Sequence, residues 1–258
     1  MQYVHWYAHA INLVMRDATE SCRVANDFLG LLQRTATFIS ESHKRTQVRT
    51  KISKELASGQ SLLHRLQKFC ATGWWSKDRA LESVFNDTAM PLEKRNKFTT
   101  LLICLHAISN TDDFTSEVAL KDGSPLENWC KFHNIFMATI LHDLFNSTTT
   151  TSNYVQASGL DYLTAANKIK TLQTQLLAKR NNFSTIHKSA VEFANYIQTY
   201  FAESEYPIDI KVELSEKRVS INKRQAGELT HDEARQVTSA IKSFEMNVFN
   251  VTHHLAAS

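Results

Sequence analysis

Glycine and proline are scarce in this chain, six and three among 258 residues. Collagen-like and low-complexity classes need far more of both, and a β-sandwich needs the many tight turns these residues make. Long apolar runs are also missing, and no stretch of about 18 apolar residues is present to cross a bilayer. The opening Met1-Gln2-Tyr3-Val4-His5-Trp6 lacks the basic-then-apolar order of a secretory signal. Nor is there a dominant charge. Lys+Arg is 29 against Asp+Glu 26, a formal +3 that is too mild to diagnose nucleic-acid binding by itself. The four cysteines, Cys22, Cys70, Cys104 and Cys130, are scattered with no C-x-x-C pair, which argues against a zinc ribbon or a thioredoxin-like site. They read as small buried hydrophobes in a reducing compartment. In that setting the sequons at Asn86, Asn146, Asn182 and Asn250 read as chance matches. What is present, 43% apolar and 21% charged residues, is enough for a substantial core. The expectation is a soluble, helix-rich intracellular protein, nuclear or cytoplasmic, with no membrane contact.

Beyond a short strand predicted at residues 3–6, apolar residues recur at spacings of three and four. Val24, Phe28, Leu31, Leu32, Thr35, Phe38 and Ile39 mark one helix face, and Val48, Ile52 and Leu56 another that ends at Gly59. Leu62, Leu63, Leu66 and Phe69 continue the pattern to a loop at 71–73, and Leu81, Val84 and Phe85 mark a further helix. Pro91 opens the segment carrying Leu101, Leu105 and Ile108. After a polar loop at 112–123, Ser124-Pro125-Leu126-Glu127 starts a helix presenting Trp129, Phe132, Phe136, Ile140 and Leu144. The threonine run at 148–151 is expected to interrupt it, because branched hydroxyl residues compete with helix hydrogen bonding. From Ile169 to Tyr200 one seam persists over roughly 30 residues, about 48 Å of helix. Pro207 stops it. Ile208, Ile210, Val212 and Leu214 then alternate with polar residues as in a half-buried strand, with Val219 and Ile221 as a hairpin mate. Thr230-His231-Asp232-Glu233 is a capping box for a last helix carrying Val237, Ile241, Phe244, Val248 and Leu255. Periodicity alone predicts one mainly α unit.

Four stretches, in order, resemble transposase-derived proteins of the hAT superfamily, especially the branch beside the MYM-type zinc-finger proteins. Tyr3-Val4-His5-Trp6-Tyr7-Ala8-His9-Ala10-Ile11-Asn12-Leu13 is similar to the family's H-C-x-A-H-x-L-N-L segment. Phe69-Cys70-Ala71-Thr72-Gly73-Trp74 is similar to its T-R-W motif. Residues 136–162 resemble the run before its long helix, with Leu141-His142-Asp143-Leu144-Phe145 and Ser158-Gly159-Leu160-Asp161-Tyr162. The tail at 217–250 resembles the family through Gly227-Glu228-Leu229 and Phe244-Glu245-Met246-Asn247-Val248. The resemblance implies a mainly α, multi-helix insertion domain over 21–258. It also implies a remnant of an RNase H-like core over 1–20 and a small β-hairpin near 208–221. It further implies loss of catalysis. Such transposases cut DNA with three carboxylates around two divalent ions, and in the family two precede the first stretch and one follows the insertion. Asp17, Asp112, Asp113 and Asp143 match none of them. The family cysteine is Trp6 here and the motif arginine is Gly73, which cannot make an arginine's bidentate contacts.

The family motif positions are thus His5, His9, Asn12, Thr72 and Trp74. His5 and His9 have the spacing of helical metal ligands but no third ligand, so they read as structural and no metal or other cofactor is expected. Trp74 matches a tryptophan that in related transposases stacks on exposed bases, an interaction worth about 1–3 kcal/mol per base; a core aromatic is the plainer reading. Lys44, Arg45 and Arg49, with Lys51 and Lys54, form a basic helical segment able to meet phosphates, or simply a solvated face. Lys217, Arg218, Lys223 and Arg224 are a thinner basic run. The functional expectation is a catalytically inactive, transposase-derived interaction module whose partner is DNA or a protein docking on helix faces, with no small-molecule substrate. Two alternatives stay open: a truncated active transposase whose carboxylates lie outside this chain, and a helical scaffold without nucleic-acid contact.

Overall fold

In the computed structural model the described residues are 2–56, 66–69, 74–87, 90–110, 125–157, 161–215 and 239–257. Three helices open the chain: α1 Gln2–Glu20, α2 Arg23–Ser40 and α3 His43–Leu56. Then come α4 Trp74–Phe85, a single 3-10 turn at Leu92–Lys94, and α5 Lys97–Ser109. The short α6 Pro125–Trp129 leads into α7 Phe132–Gln156, followed by α8 Tyr162–Lys179 and α9 Phe183–Ala202. After residue 239 come α10 Ala240–Phe244, a π turn Glu245–Phe249, and α11 Asn250–Ala257. The fold is mainly α, as its periodicity predicts, and no strand occurs among the described residues.

Helix α7 is the axis. It packs against α1, α2, α4, α6, α8 and α9, and from Phe132 to Phe145 nearly every side chain is buried, the mark of a helix apolar on all sides. Two aromatic clusters grip it. Trp129, fully buried, meets Phe28 edge-on at 5.9 Å and Phe98 at 6.1 Å, while Phe98 stacks on Phe85 at 4.7 Å. One turn into α7, Phe136 stacks on Phe244 at 4.7 Å and tilts against Phe183 at 5.7 Å, fastening α10 and α9 to the same helix. Each buried phenyl contributes about 1.5–3 kcal/mol by leaving water. Ile11, Met15 and Ala18 of α1 belong to the same core as Phe249.

Several expectations are corrected by this arrangement. Residues 3–6 are helical, within α1, so no strand of an RNase H-like core is present there. The threonines at 148–151 do not interrupt α7. Thr148 donates to the Leu144 carbonyl at 3.0 Å and Thr150 to that of Asn146 at 3.4 Å, while Thr149 donates across to Asp78 Oδ2 at 2.6 Å. Hydroxyls bonded one turn back or sideways no longer compete for the helix backbone. The long seam from Ile169 to Tyr200 is two helices, because at 180–182 the amides of Arg180, Asn181 and Asn182 bond to carbonyls three residues back. Conversely, the helix predicted to run on from Pro125 breaks after Trp129 and restarts at Phe132. Residues 208–215 do alternate as predicted, with Ile208 and Ile210 buried between exposed Asp209 and Lys211. Yet the Lys211 N–H donates to the Cys130 carbonyl in a loop at 2.9 Å, and no strand pairs with this run among the described residues. The proposed mate, Val219 and Ile221, lies outside the described residues, as do the loops at 71–73 and 112–123 and the capping box at 230–233. Cys22, Cys104 and Cys130 are free and buried as read, and burial pushes the Cys104 and Cys130 thiols up to about 12.

Candidate functional site

The basic segment lies on α3, which rests on α2 and α5. Its cations divide. Lys44, Lys51 and Lys54 are exposed, and Lys51 approaches Glu55 at 4.0 Å. Arg45 turns back on α2, donating to the Phe38 carbonyl at 2.6 Å with its guanidinium 4.0 Å above the Phe38 ring. Arg49 is half-buried near Cys104, and desolvation holds its pKa below the ordinary value despite the opposing pull of that thiol. The structure therefore brings together three outward lysines, with two arginines that fasten the helix.

Of the motif positions, His5 and His9 share α1 one turn apart, and His9 is exposed. Asn12 is half-buried, and its carboxamide oxygen finds no hydrogen-bond partner among the described residues. Trp74 is the first residue of α4; Thr72 lies outside the described residues. Among the described residues no three His, Cys, Asp or Glu side chains converge as a metal ion requires. Asp17 pairs with Arg16 at 2.9 Å. Asp112 and Asp113 are outside the described residues.

Sequence reasoning passed over a cleft between α7 and α9, with a volume of about 220 Å³. Its floor is Ala138 and His142 from α7, Ile186 and Phe193 from α9, and Phe85 from the end of α4. Around the mouth stand Arg95, Thr139, Asp143, Asn182, Thr185 and Ser189. His142 is 2% exposed, edge-on to Phe85 at 6.3 Å, and its Nε2 has no hydrogen-bond partner among the described residues. Desolvation, reinforced by Arg95, lowers its pKa to about 4, so the ring is neutral at pH 7. Asp143 is tied to Lys179 of α8 by a short Nζ–Oδ1 contact, and the same ammonium donates to the Asp143 carbonyl at 3.0 Å. Arg95 is oriented by an Nε bond to the Met90 carbonyl at 2.8 Å. Two features of the sequence build the cleft: the i, i+1, i+4, i+5 set Ala138, Thr139, His142, Asp143 on one helix, and the Asn181-Asn182 break that starts α9.

Compared with known proteins, the chain matches no family model, no curated protein and no solved structure.

Proposed function

We propose that this chain is a catalytically inactive module derived from a hAT-type transposase, acting inside the cell, in nucleus or cytoplasm, by contacting nucleic acid through α3. The motif order quoted above supports the origin, with residues 1–20 as the part nearest the lost catalytic core. The observation that carries the nucleic-acid reading is the outward placement of Lys44, Lys51 and Lys54 on one short helix. Exposed ammonium groups replace the counterions of a phosphate backbone, and releasing those ions drives association. Trp74 at the start of α4 is the candidate for stacking on a base. A second reading, a scaffold with no nucleic-acid contact, is favoured by the inward use of Arg45 and Arg49, which fastens α3 rather than arming it.

Anisotropy titrations with a labelled DNA duplex, its single strand and a hairpin test both. Lys44→Gln/Lys51→Gln/Lys54→Gln should weaken binding and lower the slope of log affinity against log salt by about 2 to 3. Wild-type protein that binds none of the three leaves the scaffold reading. Trp74→Ala should weaken the single strand more than the duplex. Nicking in Mg²⁺ or Mn²⁺ that a single carboxylate substitution abolishes would overturn the claim of inactivity.

A further inference from the structure

The cleft between α7 and α9 holds a polar ring on a floor that is otherwise apolar. Phe85, Ala138, Ile186 and Phe193 make that floor, all of them buried, with His142 in the same lining. Phe85 meets the imidazole edge-on at 6.3 Å and tilts against Phe193 at 6.2 Å. The charges around the mouth are already engaged. Asp143 pairs with Lys179, while Arg95 donates to the Met90 carbonyl and feels the Asp87 carboxylate. The other polar side chains there, Thr139, Asn182, Thr185 and Ser189, are uncharged. A cleft of this kind disfavours an ion and suits a neutral guest. His142 is the sign of a guest: it is 2% exposed, and its Nε2 lacks a hydrogen-bond partner among the described residues. Leaving a buried polar atom unpaired is costly. A water beside it would be poorly held, because a buried water makes about three hydrogen bonds and the floor offers no second polar side chain.

We infer that this cleft binds a small neutral aromatic alcohol, a single ring bearing one hydroxyl, with the ring against Phe85 and Phe193 and the hydroxyl bonded to His142 Nε2. A hydroxyl suits the site because it both donates and accepts, so it pairs with Nε2 in either tautomer of the neutral imidazole. A ketone oxygen would serve one tautomer alone. The ring suits it because edge-to-face and offset contacts with two phenyls add to the burial of apolar surface. The cleft's volume of about 220 Å³ holds one such ring with its substituent. A dry apolar cavity of about 150 Å³ already takes benzene. The motifs anticipate no small-molecule ligand; the cleft is the observation against that expectation. The inference is independent of nucleic-acid binding by α3.

Saturation-transfer NMR and thermal-shift titration with phenol, toluene and benzoate test it. Toluene has the size of phenol without the hydroxyl, and benzoate adds a charge. Phenol should bind more tightly than toluene by about threefold or more, although toluene leaves water more readily. It should bind more tightly than benzoate by about tenfold or more. Phenol should also move the ring nitrogen resonances of His142. His142→Phe removes the hydrogen-bonding nitrogen and keeps a ring, so the order should reverse and toluene should bind the more tightly. Ser189→Trp, at an exposed rim position, leaves the floor intact and should block both. Toluene or benzoate bound as tightly as phenol by the wild-type protein would overturn the inference. So would phenol binding that leaves the His142 resonances unmoved, a phenol preference that survives in folded His142→Phe, undiminished binding in Ser189→Trp, or no phenol binding at millimolar concentration.

Discussion

The indole Nε1–H of Trp129 donates to the hydroxyl of Thr35 at 2.9 Å, joining α6 to α2 across 94 residues. Both side chains are buried, and the Thr35 hydroxyl in turn donates to the Leu31 carbonyl at 2.8 Å. Thr35→Val keeps the shape and strands the indole N–H, a loss of about 1–3 kcal/mol. Thr35→Ser keeps the acceptor and should lose less. Urea denaturation midpoints would order the proteins wild type, Ser, Val; a Val variant as stable as wild type would show the bond contributes nothing.

Asn86 serves two helices. It ends α4 in a left-handed conformation, φ 63°, and its carboxamide oxygen accepts from the Lys97 N–H at the start of α5 at 2.9 Å. Left-handed backbone costs a residue with a Cβ about 1–2 kcal/mol, which glycine avoids and asparagine tolerates. Asn86→Gly therefore loses only the bond to α5, while Asn86→Ala loses the bond and the conformational tolerance. Contrary to the usual order for these residues, the alanine variant should be the less stable by about 1 kcal/mol in thermal or chemical unfolding.

The helices themselves were legible, because the spacing of Phe28, Leu32 and Ile39 or of Phe132, Phe136 and Ile140 depends only on which face is buried. Where helices stop was less so. Nothing local to 148–151 announces that Thr149 finds Asp78, 71 residues away, and that bond helps α7 continue. The break at 180–182 was masked because Phe183 and Ile186 fall in phase with Leu172 and Leu176 although α8 and α9 are separate helices. The cleft escaped notice for a related reason. His142 and Asp143 read as a family motif, and only the packing of α9 on α7 sets Asn182, Thr185 and Ser189 opposite them.

His142 links stability to pH. Its folded pKa, about 4, lies below the ordinary 6.5, chiefly through burial. The neutral ring is favoured in the fold, so this contribution is complete above about pH 6.5, declines as pH falls toward about 4, and is flat below that. The full loss is on the order of 3 kcal/mol. Burial also lowers the pKa values of His133 and His253, so His142→Phe should flatten part of the acid limb of a stability-versus-pH curve. At pH 8 the phenyl ring, which needs no partner for a buried nitrogen, should fit beside Phe85 at little cost. An unchanged slope between pH 6.5 and 4 would place the acid sensitivity elsewhere.

Lys179 and Asp143 connect the end of α8 to the middle of α7, with side chains 20% and 31% exposed. Partial exposure screens the pair, so its net worth is modest. Removing one partner is more costly than the pair is valuable, since Asp143 Oδ2 is already buried without a hydrogen bond among the described residues and Oδ1 would lose its cation. Lys179→Met should therefore cost about 1–3 kcal/mol, Asp143→Asn less, and the double variant less than the sum, with a coupling of about 1 kcal/mol in a mutant cycle. A coupling indistinguishable from zero in urea denaturation would show that this contact does not tie α8 to α7.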